Sequence, residues 1–124
     1  MPASKDPAPE EQRVYEVAAE LFAVMAAPMR LRIISALCHG EKNVSQLLAE
    51  IETTQPNMSQ HLSHLWRAGV LARRREGSQV FYRVRNQKAM MLCRAVCTQV
   101  AIELDDPAAV APAERLVAAP SAAA

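Results

Sequence analysis

The chain has 124 residues, enough for one domain with a modest core and too few for two ordinary ones. Hydrophobic residues make up 51%, but no apolar run approaches the roughly 20 residues that a membrane-spanning helix needs. The opening MPASKDPAPEEQ has no basic stretch leading into an apolar one, so no secretory signal is read and a soluble, cytoplasmic protein is expected.

The net charge of +1 is unevenly distributed. Residues 1–27 carry two basic and five acidic side chains, and residues 28–66 carry three of each. Residues 67–94 then hold eight cations against Glu76 alone, and residues 95–124 return to a net −3. A basic block confined to one segment suits a polyanionic partner, although charge alone fits a solvated face equally well. The three cysteines are an odd number, which argues for reduced thiols rather than a disulfide framework.

Pro2, Pro7 and Pro9 among small polar neighbours, and the Ala/Pro-rich stretch after residue 105, predict disordered tails at 1–9 and 106–124 around one domain at 10–105. Val14, Val17, Ala18, Leu21, Phe22 and Met25 recur at helical spacing and predict a first helix over Glu11–Ala26. Pro28 suits the first turn of a second helix that runs through Leu31, Ile33, Ile34 and Leu37 to a stop at Gly40. A short third helix is expected from Val44 to about Ile51, with Val44, Leu47 and Leu48 inward and Gln46 and Glu50 outward. Thr54 can cap a fourth helix with Pro56 in its first turn and an apolar stripe of Met58, Leu62, Leu65 and Trp66, ending at Gly69.

Val70–Arg75 and Gln79–Arg85 then read as two strands of a β-hairpin about Glu76-Gly77-Ser78. Asn86 can cap a last helix over Gln87–Leu104, which is apolar on more than one face. With an equally apolar first helix, it has more surface to bury than one small core can take, and a symmetric homodimer is the natural outlet. The predicted fold is mainly α with a β-hairpin wing, in the order helix, helix, helix, helix, strand, strand, helix.

Off its apolar stripe, the fourth helix presents Gln55, Asn57, Ser59, Gln60, His61 and His64, all hydrogen-bonding and nearly uncharged. Gln and Asn pair bidentately with adenine and Ser reaches several bases, so such a face suits a major groove. Any helix has a polar outer face, but here an arginine-rich hairpin follows, with Arg67, Arg73, Arg74, Arg75 and Arg83 able to neutralise phosphates. Double-stranded operator DNA is the expected partner. A dimeric scaffold without nucleic acid is the alternative, and it leaves the arginines unexplained.

The runs AAPMRLRIISAL, NVSQLLAEI and TTQPNMSQHLSHLWRAGVLARRREGSQVFYRV resemble the ArsR/SmtB family of winged helix-turn-helix repressors over about residues 14–104. The most specific piece is Ser59-Gln60-His61-Leu62 with Leu65, Arg67, Ala68-Gly69 and the hairpin end Tyr82-Arg83. The resemblance implies a homodimer paired through its first and last helices, bound to an operator until an inducer releases it, with no catalytic residue.

Members of the family that sense zinc or nickel place histidines and carboxylates on the last helix, whereas the only histidines here are His39, His61 and His64. Arsenical sensors of one type place cysteines at the start of the recognition unit, where this chain has Asn43, Ser45 and Leu48. What remains is Cys93 and Cys97, which at i and i+4 share one helical face about 6 Å apart at Cβ. Two thiolates there suit a thiophilic centre such as As(III) or Sb(III). The third sulfur can come from Cys38, from the partner chain or from an exogenous thiol, and no cofactor is needed for folding.

Other relatives, responsive to sulfide or persulfide, pair a cysteine in the second helix with one late in the last, at positions matching Ser35 and Ala101 here. Cys38 and Cys97 lie one turn from these, so an oxidant- or persulfide-sensing pair stays open if the helices run antiparallel. A third possibility is that the cysteines only pack, since Cys behaves as a small hydrophobe. Cys38 beside His39 has no orienting third group to make it a nucleophile.

Overall fold

The computed structural model describes residues 8–105; of the tails expected at 1–9 and 106–124, residues 1–7 and 106–124 lie outside the described residues. Its elements are α1 (Pro9–Met25), α2 (Pro28–Leu37), β1 (Lys42–Asn43), α3 (Val44–Glu50), α4 (Gln55–Arg67), β2 (Leu71–Glu76), β3 (Gln79–Val84) and α5 (Gln87–Asp105). Two expectations change. Pro9, read as tail, opens α1, where a missing N–H costs nothing. The hairpin is one part of a three-stranded antiparallel sheet ordered β1-β3-β2, because Lys42 and Asn43 pair with Tyr82 and Phe81.

Local chemistry sets the ends of the helices that matter for function. Asn43 and Gln46 form a reciprocal capping box on α3, the Asn43 side chain accepting from the Gln46 N–H at 2.8 Å and the Gln46 side chain from the Asn43 N–H at 2.9 Å. The Thr54 hydroxyl accepts from the Asn57 N–H at the start of α4. At its end Gly69 adopts φ 80°, its N–H donates to the Trp66 carbonyl, and the Val70 N–H donates to that of Leu65, both at 3.0 Å. This is a Schellman stop, with Leu65 and Val70 both buried to close it. Asn86 caps α5 by accepting from the Lys88 and Ala89 N–H groups. In the hairpin, pairing of Glu76 with Gln79 leaves a two-residue loop in which Gly77 takes φ 64°, the place that type II′ turns give to glycine.

The core lies between α2, α3, α4, the sheet and the first half of α5. Ile33, Ile34, Leu47, Met58, Leu62 and Leu65 are fully buried at its centre, with Val70, Leu71, Tyr82, Val84, Ala89 and Cys93 closing it. Leu62 anchors α4 there, so Leu62→Ala is expected to cost about 2–5 kcal/mol. That is a large share of the roughly 5–15 kcal/mol available to a domain. Urea unfolding followed by circular dichroism reads the loss as a lower midpoint with an unchanged slope.

By contrast α1 buries only Met25, at its C-terminal end, and α5 leaves Met91, Val96, Ile102 and Leu104 exposed. Among the described residues no helix is long and apolar enough to cross a membrane.

Candidate nucleic-acid interface and thiol site

With Met58, Leu62 and Leu65 turned into the core, α4 presents the opposite face outward. Gln55, Gln60 and Arg67 are exposed there, and Asn57, Ser59 and His64 are half-buried at its margins. Two of the predicted residues already have partners. Asn57 donates its side-chain amide to the Thr53 hydroxyl at 2.8 Å, which ties it to the start of the helix. His61 is half-buried and accepts, through Nδ1, a hydrogen bond from Arg30 Nε of α2 at 3.3 Å. Burial, with Arg30 and then His64 nearby, lowers the His61 pKa, so the ring is neutral at pH 7 and able to accept. Arg30 was not singled out by sequence. It also donates to the Val24 carbonyl, joining the end of α1 to α4 through α2.

The basic hairpin is divided by the alternation of its strands. Arg74 lies on the face shared with Phe81 and sits over that ring at 4.7 Å. It donates to both carboxylate oxygens of Glu41, at 3.0 and 3.1 Å, and to Glu76 at 2.7 Å. These bonds hold the Glu41 carboxyl below the usual carboxylate range and raise Arg74 further. Arg74 therefore stands between two carboxylates instead of presenting an uncompensated cation.

On the other face Arg73 stacks on Trp66 with its guanidinium carbon 3.5 Å from the ring centroid, joining wing to recognition helix. Trp66, read from sequence as core, is 38% exposed beneath it. Arg75 and Arg83 are exposed and form no salt bridge among the described residues.

All three cysteines are free. Cys93 is buried in the wall that α5 turns toward α2, its thiol 3.5 Å from the Leu31 carbonyl, and the exposed Cys97 sulfur lies 3.9 Å from it. Burial and then the Cys97 sulfur push the Cys93 thiol up to about 12. Cys38, at the end of α2, is half-buried; burial raises its thiol pKa against the lowering effect of Arg94. It does not complete a cluster, since among the described residues no three His, Cys, Asp or Glu side chains gather closely enough to hold a metal ion.

On the far side of α5, about 200° round the helix from the sulfur pair, Met91 and Ala95 join Val14, Val17, Leu21 and Phe22 of α1 in an apolar groove of about 810 Å³. α5 thus has a thiol face against α2 and an apolar face that lines an open groove with α1.

A helix-turn-helix with an outward polar recognition helix and an arginine-bearing wing defines a winged helix-turn-helix DNA-binding protein. Residues 27–73, from α2 into β2, match the model of the "Bacterial regulatory protein, arsR family". The biofilm growth-associated repressor of Agrobacterium fabrum is 41% identical over 86 residues, 69% of this chain and 73% of that protein. The HTH-type transcriptional repressor SmtB of Mycobacterium tuberculosis is 37% identical over 78 residues, 63% of this chain and 58% of it. The crystal structure of the transcriptional repressor BigR from Xylella fastidiosa superposes with a TM-score of 0.65 at 37% identity, covering 72% of this chain and 90% of that one. The chain belongs to the ArsR/SmtB family of winged helix-turn-helix transcriptional repressors, which are DNA-binding regulators and not enzymes.

Proposed function

We propose that a homodimer of this chain represses by placing two α4 helices in successive major grooves of an operator, and that As(III) or Sb(III) bridging Cys93 and Cys97 releases it. The observation that carries the inducer is the sulfur pair itself, 3.9 Å apart on the face of α5 packed against α2. A soft ion can take both sulfurs by small side-chain rotations. A direct disulfide needs Cβ atoms about 3.5–4.5 Å apart, whereas i, i+4 positions on a helix hold them at about 5–6 Å, so bridging by an ion fits this pair better than oxidation. Arsenous acid condenses with thiols: two S–H and two As–OH bonds are replaced by two As–S bonds and two waters, with no change of oxidation state.

The apolar faces of α1 and α5 are the surface that a second copy would cover, where Phe22 is 56% and Met91 68% exposed. Because α5 carries this face and the thiols on opposite sides, a shift of Cys93 away from the Leu31 carbonyl is transmitted to the dimer angle. That angle sets the distance between reading heads, which must match half-sites about 34–36 Å apart. A coupling of about 1–3 kcal/mol between inducer and DNA is enough for a switch.

In this reading Gln55, Ser59, Gln60 and His64 face base edges, Asn57 and His61 hold α4 in place while lying at its margin, and Arg67, Arg73, Arg75 and Arg83 contact phosphates. Arg74 is held back by Glu41. Glu41→Gln is therefore expected to tighten DNA binding at low salt and to steepen the dependence of log K on log salt by about one phosphate contact. An unchanged slope places Arg74 away from the DNA.

The inducer is tested by fluorescence anisotropy on the DNA upstream of the protein's own gene, with antimonite, arsenite, a persulfide or peroxide added. Antimonite and arsenite are expected to release the protein. Release by persulfide or peroxide alone assigns the switch to Cys38 and Cys97 instead, and no response to any of them leaves the cysteines as packing residues.

A further inference from the structure

Cys97 opens into a second cavity, of about 440 Å³, where α2, β1, the end of α3 and α5 meet. Leu31, Ala36 and Ile51 form its apolar lining, and Arg32 and Ser35 of α2, with His39 just beyond its end, add polar side chains. Lys42 and Glu50 also line it, but each neutralises the other through a salt bridge with contacts of 2.6 and 2.7 Å. Arg32 forms no salt bridge among the described residues. The cavity therefore combines an unmatched cation, a hydroxyl, an imidazole and the outer member of a sulfur pair.

We propose that this cavity binds a small thiol carrying a carboxylate, whose anionic end pairs with Arg32 and whose sulfur becomes the third ligand of a trivalent metalloid held by Cys93 and Cys97. The proposal rests on the metalloid reading above. Two sulfurs leave a trivalent, pyramidal centre one ligand short, and Cys38 does not join the pair within one chain. Cys97 is the exposed sulfur of the two, so the open coordination position lies toward the cavity and not toward the buried Cys93 wall. The step is an exchange: the remaining metalloid–OH bond and the S–H bond of the incoming thiol give a metalloid–sulfur bond and one water, without oxidation or reduction.

The test is equilibrium dialysis of antimonite with the full-length protein in the presence of 3-mercaptopropionate, 2-mercaptoethanol or cysteamine, repeated on the Arg32→Gln variant. The variant controls for each thiol's own affinity for antimony. The expected result is that 3-mercaptopropionate tightens antimonite retention about tenfold more than cysteamine in the parent, as for a hydrogen-bonded charge pair. This difference should disappear in Arg32→Gln. Antimonite bound equally well with all three thiols, or a preference that survives in Arg32→Gln, overturns the cavity assignment alone. No antimonite binding in any arm overturns the metalloid reading and this one with it. Urea unfolding of Arg32→Gln, expected to match the parent because Arg32 is exposed, separates lost binding from lost folding.

Discussion

The double variant Cys93→Ser, Cys97→Ser is expected to hold operator DNA as tightly as the parent and to stay bound when antimonite is added. In the parent, antimonite should weaken DNA binding by about 5–150-fold, the range set by a coupling of 1–3 kcal/mol. Serine keeps the shape of each side chain at slightly smaller size, and its hydroxyl can still donate toward the Leu31 carbonyl that the Cys93 thiol reaches at 3.5 Å. It cannot supply the soft sulfur that a trivalent metalloid selects. Anisotropy titrations of parent and variant, with and without antimonite, measure both halves of the expectation. Release of the double variant by antimonite would place the sensor away from α5.

The second large effect separates reading from holding. Gln60→Ala should cost about 1–3 kcal/mol on the operator and much less on random DNA, so that the ratio of specific to non-specific affinity falls. Arg75→Ala should weaken binding on both DNAs alike and reduce the salt slope by about one. Arg75 is the suitable partner for this comparison, because Arg74 is occupied by Glu41 and Glu76 and Arg73 by Trp66. Equal losses on both DNAs for both variants would contradict the division of roles.

These expectations draw on features of differing origin. The stop of α4 was legible because a Schellman motif is built from neighbours: Gly69 supplies the positive φ, and Leu65 and Val70 supply the closing contact. The cap at Asn86 was equally local; the capping box of Asn43 and Gln46 was local too but was not singled out, Gln46 being read only as the outward residue that it is. The sulfur pair was legible from its i, i+4 spacing.

The pair β1–β3 was not, because two residues carry no periodicity and Lys42-Asn43 becomes a strand only when Phe81 and Tyr82 are brought beside it. Trp66 fell on the apolar stripe by spacing but lies where the core ends and the wing begins, so its ring serves Arg73.

The segment from Pro28 to Arg85 by itself determined a helix-turn-helix followed by a basic hairpin, since caps, turns and helical stripes depend on residues a few positions apart. Only the tertiary structure decided how the basic block is divided. Glu41 lies 33 residues from Arg74, and no local pattern records that the two meet. The same holds for the thiols: spacing placed Cys93 and Cys97 on one face, but packing of α5 on α2 decided that one is buried and the other opens into a cavity. Charge and burial are properties of surfaces, and a surface exists only once distant segments have been packed together.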